Sequence, residues 1–240
     1  MSRYFDLHVT TRHSFGKETV DALARMAERL ELDTICIADA MDGAEDLALI
    51  KKEISSVKCN VKILLGIEIK AKTVSDLANK VNKFRDSADI IIVSGGDLDI
   101  NRAACENPKV DILAHPEYMR KDSGLDHVMV AAAAKNNVAI ELNFRSYLHS
   151  FGRIRSHILS RMQRNVILCR KFKAPLIVTS GAQTIHDMRA GRELATLAYL
   201  CGMEITEALE CVSTTPEFLV NRVNEIKSKG FVMPGVRVVG

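Results

Sequence analysis

The feature that most constrains the fold is a regular alternation of short apolar segments with longer amphipathic segments along the chain. The short segments have the length of buried strands, and the longer ones carry apolar residues at helical spacing. Strands are predicted at residues 4–9, 34–38, 61–70, 89–94, 110–114, 138–143 and 175–179. Because these segments are apolar almost throughout, they indicate a parallel sheet that is covered on both faces.

Helices are predicted between the strands and after the last one. Their expected ranges are residues 17–30, 42–57, 73–87, 101–107, 123–136, 152–173, 185–201, 205–211 and 216–228. Seven β–α units fit either a closed barrel or an open, doubly wound sheet. No Gly-x-Gly-x-x-Gly motif follows the first strand, so the dinucleotide-binding form of the open sheet lacks its phosphate loop. We therefore predict a single TIM-like α/β barrel domain over residues 1–240, with about seven strands and extra helices at about 185–229.

Composition excludes several classes of protein. The chain has 240 residues, of which 47% are hydrophobic and 26% charged, as in ordinary globular proteins. No apolar run approaches the length of a membrane span, and the first residues lack the apolar run of a signal peptide. The six cysteines form no Cys-x-x-Cys pair, which favours reduced packing residues over a zinc site. We therefore expect a cytoplasmic protein.

The basic residues are unevenly distributed. Between Leu142 and His186 there are eight Lys and Arg and no Asp or Glu, although the net charge of the whole chain is only +3. A segment with many basic and no acidic residues is a candidate surface for binding a polyanion. Its arginines can form bidentate contacts with phosphate. The alternative is a solvated helix face that binds nothing.

The predicted helix at residues 152–173 places five basic side chains within an arc of roughly 80°, at about 100° per residue. They are Arg153, His157, Arg161, Arg164 and Lys171. The neighbouring arc is apolar and should pack on the core. Its members are Ile154, Ile158, Leu159, Met162, Val166 and Cys169. Arg155 and Arg170 fall at or beyond the apolar side, where we expect them either to extend towards solvent or to pair with other parts of the chain.

Acidic residues and histidines lie at the ends of several predicted strands, where the functional sites of barrels gather. They are Asp6, His8, Asp39, Glu68 and His115. Asp6 and His8 are two residues apart and should share one face of the first strand. Carboxylate and imidazole groups in this arrangement could bind a metal ion, whereas a single histidine after a strand is usually structural. Both interpretations stay open at this point.

Four short motifs resemble the strand signatures of the polymerase-and-histidinol-phosphatase (PHP) superfamily of metal-dependent phosphoesterases. They are Asp6-Leu-His8, Gly-Ile-Glu68, Ala-His115-Pro116 and Glu141-Leu-Asn143. Within that superfamily, the chain is similar over about residues 1–230 to the archaeal ribonuclease P protein component 3 family, which is related to the eukaryotic thirty-kilodalton subunit. The segments Phe-Asp-Leu-His-Val, Val-Asp-Ile-Leu-Ala-His-Pro, Ala-Ile-Glu-Leu-Asn-Phe-Arg and Val-Thr-Ser-Gly-Ala carry this similarity. It implies a distorted, seven-stranded α/β barrel.

The chain departs from the PHP pattern at several ligand positions. Thr10 replaces a second histidine, Ala40 follows Asp39 where a histidine is usual, and residues 181–183 replace a late Asp-x-His. The ligand types that remain are Asp6, His8, Glu68 and His115. Because a multinuclear site needs more ligands than these, the resemblance implies no functional metal site and no catalytic residue. We expect the remaining residues to form hydrogen bonds that shape the barrel mouth.

The ribonuclease P resemblance implies a subunit of the ribonucleoprotein that removes the 5′ leader from precursor tRNA. In that family the RNA subunit carries out the hydrolysis with its own bound Mg²⁺, so the chain is expected to be non-catalytic alone and to hold no cofactor. The implied partners are ribonuclease P RNA, precursor tRNA, component 2 (the Pop5 homologue) and other protein subunits. No membrane partner is expected.

The residues expected to contact RNA lie on the predicted basic helix and near it. They are Arg145, Arg153, Arg161, Arg164, Lys171, Arg189 and Arg192. Two alternatives remain open. One is a metal-dependent phosphoesterase of the PHP type that uses the strand-end residues, and the other is a scaffold that holds partner proteins without touching RNA.

Overall fold

The parallel sheet that the sequence predicts is present, and it curves into a barrel. The computed structural model describes residues 3–41, 43–227, 231–233 and 236–237. The strands of the barrel are β1 Phe5–Val9, β2 Thr34–Ala40, β3 Lys62–Ile69, β4 Ile90–Ser94, β5 Ile112–Ala114, β6 Ala139–Asn143 and β7 Leu176–Thr179. They are parallel and neighbour one another in chain order. Each strand begins and ends within two residues of its prediction, and the predicted TIM-like α/β barrel is confirmed.

Helices cover the outside of the sheet. They are α1 Val20–Arg29, α2 Ala44–Ser56, α3 Val74–Phe84, α4 Leu98–Glu106, α5 His127–Asn136, α6 Phe144–Leu148, α7 Gly152–Phe172, α8 Gly191–Leu200, α9 Ile205–Glu210 and α10 Thr214–Lys227. Two short antiparallel strands follow, β8 Phe231–Met233 and β9 Val236–Arg237. The sequence pattern does not predict α6, β8 or β9, and the predicted helix ends at residue 42 and at 228–229 lie outside the described residues. Within the described ranges, no helix is long and apolar enough to cross a membrane.

The helix predicted at residues 185–201 begins only at Gly191. Upstream of it, the Asp187 carboxylate accepts hydrogen bonds from the backbone N–H groups of Gln183 and Thr184, at 3.2 and 3.1 Å. Such local bonds between a side chain and the backbone compete with helix formation. The segment between β7 and α8 is therefore a loop.

The barrel is nearly closed between its first and last strands. An isolated bridge joins Val9 to Ala182 at one end of the gap. Farther along, the Cys211 carbonyl accepts a hydrogen bond from the N–H of Val178 on β7 at 3.1 Å. The Val212 carbonyl likewise accepts a hydrogen bond from a backbone N–H of β1. The segment before α10 therefore supplies the hydrogen-bond partners that direct strand pairing would otherwise provide.

Helix α10 closes the amino-terminal end of the barrel. Its apolar side chains join the buried cluster formed by the inward-facing residues of the strands, and they are Leu219, Val220 and Val223. Arg222, on the same helix, donates to the backbone carbonyls of Pro108 and Asn137, which precede β5 and β6. The carboxyl end of the barrel is therefore the end that is open to a ligand, as in other barrels of this type.

Candidate nucleic-acid interface and barrel mouth

A buried carboxylate lies at the centre of the open end of the barrel. Glu141, on β6, is inaccessible to solvent, and its Oε1 accepts hydrogen bonds from His8 Nδ1 at 2.7 Å and from the Thr179 hydroxyl. Its Oε2 lies 3.3 Å from Nδ1 of His115. We call His8, Glu68, His115 and Glu141 the mouth cluster. Sequence reasoning includes Glu141 only in a strand motif, although an acid inside an apolar strand is the signal that could have marked it.

Glu68 is the second carboxylate of the mouth cluster. It lies near the end of β3, accepts a hydrogen bond from the Ser94 hydroxyl, and lies 3.8 Å from Nε2 of His115. The rings of His8 and His115 stack with their centroids 5.8 Å apart. Each histidine of the pair thus has a buried carboxylate beside it, which offsets the cost of removing the charges from water.

Burial and ion pairing act in opposite directions on these groups. Burial lowers the pKa of His115, but the neighbouring carboxylates of Glu141 and Glu68 outweigh burial and raise that pKa to about 10. For His8, burial also acts to lower the pKa, but the attraction of the Glu141 carboxylate is stronger than the effect of burial. The net result is a raised pKa. Burial raises the pKa values of the two acids, but the histidines outweigh it and hold the pKa of Glu68 at about 2 and that of Glu141 well below its ordinary value. The mouth cluster therefore favours protonated imidazoles beside ionised carboxylates, and His115 carries its proton at neutral pH.

The other acids predicted at strand ends have separate partners. The Asp6 carboxylate accepts hydrogen bonds from the backbone N–H groups of Ser180 and His8. The pairing of β1 is irregular after Asp6, which interrupts the alternation that would place Asp6 and His8 on one face. As a result, the imidazole of His8 pairs with Glu141 rather than with the Asp6 side chain. Asp39 accepts bonds from the N–H and the hydroxyl of Thr11.

The mouth cluster does not fit a metal ion of the PHP type. Metal ligation requires neutral imidazoles and carboxylates that are free to bind. Here each imidazole of the mouth cluster faces a carboxylate that would have to join it as a ligand, so these side chains are engaged with one another. In the part of the chain that the structure describes, no group of three or more His, Cys, Asp and Glu is arranged to hold a metal.

The backbone of His115 adopts an uncommon conformation. Its φ is 32°, in a region that few residues other than glycine adopt, and Pro116 follows it. Its carbonyl accepts a hydrogen bond from the Tyr118 N–H at 3.0 Å, and the two rings lie 6.0 Å apart. Conformations of this kind persist where the surroundings fix them, and they occur often at ligand sites. The turn after β5 is fixed here by hydrogen bonding and by the ion pairs of the imidazole.

A pocket of about 550 Å³ opens at the mouth cluster. Arg145, on α6, lines this pocket. Its Nε lies 3.8 Å from Asp187 and has no hydrogen-bond partner among the described residues. Asp187 also accepts a hydrogen bond from His149 Nε2 at 2.7 Å. The first acid after the acid-free segment therefore neutralises part of that segment, which the sequence alone does not reveal.

The basic side chains predicted on one side of α7 are directed away from the core. We call Arg153, His157, Arg161, Arg164 and Lys171 the basic face of α7. All are exposed except Arg161, which is half-buried. Within the described ranges, none of the five forms an ion pair with an acid. Burial raises the pKa of the nearby acid Glu117 to about 7. The positive charge of Arg161 acts in the opposite direction, which shows that Arg161 is close to this acid.

The other side of α7 packs on the core, as the sequence predicts, except at the first turn. Met162, Val166 and Cys169 are buried, and Ile158 and Leu159 pack against the core in part. Ile154, by contrast, is 65% exposed, so the prediction that it packs on the core is wrong. The reason is that the first turn of α7 projects past the residues that form the core.

The two arginines expected to pair elsewhere do so. Arg155 donates hydrogen bonds to the carbonyls of Ser150 and Leu148, at 2.6 and 3.3 Å. Arg170 lies 3.4 Å from Glu207 of α9. These two cations are therefore occupied within the chain, and the prediction about them is confirmed.

The remaining two candidate RNA-binding residues, Arg189 and Arg192, lie outside α7 and contact other parts of the chain. Arg189 donates to the carbonyls of His186 and Met188 and lies over the ring of Phe144. Arg192 lies 3.4 Å from the hydroxyl of Tyr4, which precedes β1. Arg192 is thus at the amino-terminal end of the strands, so the structure does not bring all seven candidates to one surface.

Comparison with known proteins gives consistent matches over the whole barrel. Residues 3–227 match the model of the family described as RNase P subunit p30. The chain is 37% identical to ribonuclease P protein component 3 of Methanosarcina barkeri over 224 residues, which cover 93% of this chain and 91% of the relative. A chain in the cryo-EM structure of archaeal ribonuclease P with mature tRNA is 27% identical, with a TM-score of 0.81 and 98% of both chains covered. A structure of molinate hydrolase, with 10% identity and a TM-score of 0.61 over 91% of this chain and 73% of that one, shares only the fold.

Proposed function

This chain belongs to the RNase P subunit p30 family, and from that premise we propose that it assists the catalytic RNA electrostatically. It is a protein subunit of ribonuclease P, the enzyme that processes the 5′ ends of tRNA. The basic face of α7 binds RNA phosphates and reduces the repulsion between RNA segments that must approach one another. The RNA subunit hydrolyses the phosphodiester with its own Mg²⁺, and the chain supplies no catalytic residue.

The observation that carries this proposal is the contrast between two sets of cations on one helix. Arg155 and Arg170 are bound by carbonyls and an acid of the chain itself. The basic face of α7 has no such partner in the part of the chain that the structure describes, and most of it is in contact with solvent. Neighbouring like charges repel, and bound phosphates remove that repulsion while releasing counterions.

The amino terminus of α7 supports the same assignment. No acid lies in its first turn, and its N-cap residue, Phe151, offers no side-chain hydrogen bond to the free N–H groups. Those N–H groups attract anions, as does the positive end of the helix dipole. Arg153 lies beside them in the first turn, so backbone donors and a guanidinium are available to the same phosphate.

A second surface is suited to a protein partner. Exposed apolar side chains gather where α8 leads into α9, and they are Tyr199, Leu200 and Ile205. Adjacent exposed apolar side chains are typical of protein interfaces. We propose that component 2, the Pop5 homologue, packs there. Ile205→Ser should weaken its binding in calorimetry without changing RNA binding by the basic face of α7, and unchanged binding would place component 2 elsewhere.

We also propose that the chain works in the cytoplasm. All six cysteines are free and five of them are buried, which suits a compartment where thiols stay reduced. A fluorescent fusion in the native cell would test this assignment.

The direct test is cleavage of precursor tRNA by the cognate ribonuclease P RNA at low Mg²⁺, with component 2 present. We expect addition of this chain to increase the cleavage rate, and the increase to shrink as Mg²⁺ rises, because metal ions then screen the phosphates instead. A matched reaction contains the chain with Arg161→Gln and Arg164→Gln, which should restore less of the rate. If the folded wild-type chain leaves the rate unchanged at every Mg²⁺ concentration, the proposal is wrong.

A further inference from the structure

The pocket at the barrel mouth has no part in the function proposed above, and its lining is unlike a simple structural cavity. Its volume of about 550 Å³ is within the range of small-molecule sites and can accommodate one nucleotide. The segments that follow β1, β3, β5, β6 and β7 all contribute to it. Their residues in the pocket lining include Phe15, Lys70, Tyr118, Arg145 and Gln183.

The charges that line the pocket favour an anion. Lys70 and Arg145 are always positive at neutral pH, and the two histidines of the mouth cluster also line it. Glu68 is the one acid in the lining, and His115 and Ser94 are its partners. Because Glu68 and Glu141 are partners of the two histidines, the positive charge that is left for a phosphate comes from Lys70 and Arg145.

The two cations outside the mouth cluster are available to a ligand. The ammonium group of Lys70 lies 3.5 Å from the centre of the Phe15 ring and has no ion-pair partner among the residues that the structure describes. The guanidinium of Arg145 donates no hydrogen bond within the same ranges, and its acid neighbour is 3.8 Å away. Each can therefore donate to phosphate without breaking a hydrogen bond that the fold needs.

The pocket also offers an aromatic surface and an amide. Tyr118 is 59% exposed, and one side of its ring faces the His115 imidazole. Phe15 is already covered by Lys70, so Tyr118 is the ring with a face available for stacking. The side-chain amide of Gln183 lies in the same lining and can both donate to and accept from the edge of a base.

We propose that this pocket binds a single nucleotide without a metal ion, with the phosphate held by Lys70 and Arg145 and the base stacked on Tyr118. The nucleotide is either free in solution or an unpaired residue of an RNA, since both present the same phosphate and base. No bond is made or broken, because the imidazoles and carboxylates of the mouth cluster are engaged with one another. The inference does not depend on the basic face of α7.

The test is calorimetric titration of the full chain with 5′-AMP and, separately, with inorganic phosphate, both in EDTA. We expect saturable binding of one AMP per chain, and weaker binding of inorganic phosphate. Lys70→Gln should weaken both about tenfold, whereas Tyr118→Ala should weaken AMP about tenfold and leave phosphate unchanged, because stacking involves only the base. Both side chains are exposed, so the variants should fold, and thermal melting checks that they do.

Lys52→Gln is the matched control, because it removes one exposed lysine charge on α2, away from the pocket. If Lys52→Gln loses as much affinity as Lys70→Gln, the effect comes from net charge alone, and the proposal is wrong. Absence of saturable binding at millimolar AMP, or binding that requires a divalent metal, would also overturn it. Addition of ribonuclease P RNA identifies the source: displacement of AMP indicates an RNA nucleotide, and coexistence indicates a free one.

Discussion

The mouth cluster and the basic face of α7 use the same kinds of charged side chain under opposite conditions. In the mouth cluster, the imidazoles of His8 and His115 lie beside two buried carboxylates, Glu68 and Glu141, which are their partners within the chain. On α7, Arg153 and Arg164 face solvent with no acid beside them in the described parts of the chain. A buried charge must find its partner inside the protein, whereas an exposed charge can keep its partner outside it.

The two sites also differ in what they do for the fold. At the mouth, Glu141 holds together β1, the turn after β5, and β7 through His8, His115 and Thr179. The ion pairs therefore connect strands that are far apart in the sequence. Among the described residues, the basic face of α7 forms no ion pair with an acid, so its charges remain available to a ligand.

The largest expected effect concerns the centre of the mouth cluster. Glu141→Ala leaves His8 and His115 without the buried carboxylate that they share, and we expect it to lower the free energy of unfolding by about 3–5 kcal/mol. Urea denaturation followed by circular dichroism measures the change. Glu106→Ala, which removes an exposed acid that pairs with Arg102 at 3.0 Å, should cost less than about 1 kcal/mol. Similar losses in the two variants would contradict the contrast between buried and exposed charges.

The next effect is a dependence of stability on pH that comes from His115. Its pKa is 6.5 in the unfolded chain and about 10 in the folded one, so the folded state binds the proton more tightly. The stability that this proton provides is complete below pH 6.5 and is lost as the pH rises towards about 10. Denaturation at intervals between pH 7.5 and 10 should show decreasing stability in the wild type and a flatter curve in His115→Gln. A control, His157→Gln on the exposed side of α7, should retain the wild-type curve.

A smaller effect, on RNA binding, concerns the basic face of α7. The double substitution Arg161→Gln and Arg164→Gln should weaken binding of ribonuclease P RNA about tenfold and lower the slope of log affinity against log salt by about one for each lost contact. The free energy of unfolding should change by less than about 0.5 kcal/mol. Arg170→Gln is the matched control on the same helix, because that arginine is already paired with Glu207. A salt slope that falls equally in the control would remove the distinction between paired and unpaired arginines.

The smallest effect concerns the first turn of α7. Because Ile154 is exposed, Ile154→Ser should change the free energy of unfolding by less than about 0.5 kcal/mol. Met162→Ala, two turns farther along and fully buried, should cost about 2–5 kcal/mol. Comparable costs at the two positions would mean that the first turn of α7 is docked after all.

Much of the barrel follows from local patterns. The strands are mostly apolar, and amphipathic segments long enough to form helices separate them, so their positions are predicted within two residues. Five-residue α6 is missed because it is shorter than two helical turns, and its start depends on the Asn143 side chain, which accepts a hydrogen bond from the Ser146 N–H. Local hydrogen bonds of this kind leave no periodic signal in the sequence.

The candidate site is predicted only in part, for a similar reason. The spacing of cations on α7 follows from helical geometry, which is fixed once the helix is known. The positions of Arg145 and Arg192 relative to that helix depend on how loops run across the barrel, and the structure places them at opposite ends of the strands. Separation in sequence carries no information about such distances.

By itself the sequence determines the class of fold, the basic side of one long helix and the absence of a full set of PHP ligands, because each depends on spacing along the chain or on residue type. Only the tertiary structure decides which charges neutralise one another. Glu141 lies beside His8 of β1 and His115 of the turn after β5, and Asp187, beyond the acid-free segment, accepts a hydrogen bond from His149 and lies 3.8 Å from Arg145. Charge interactions depend on distance and burial, and the folded barrel fixes both.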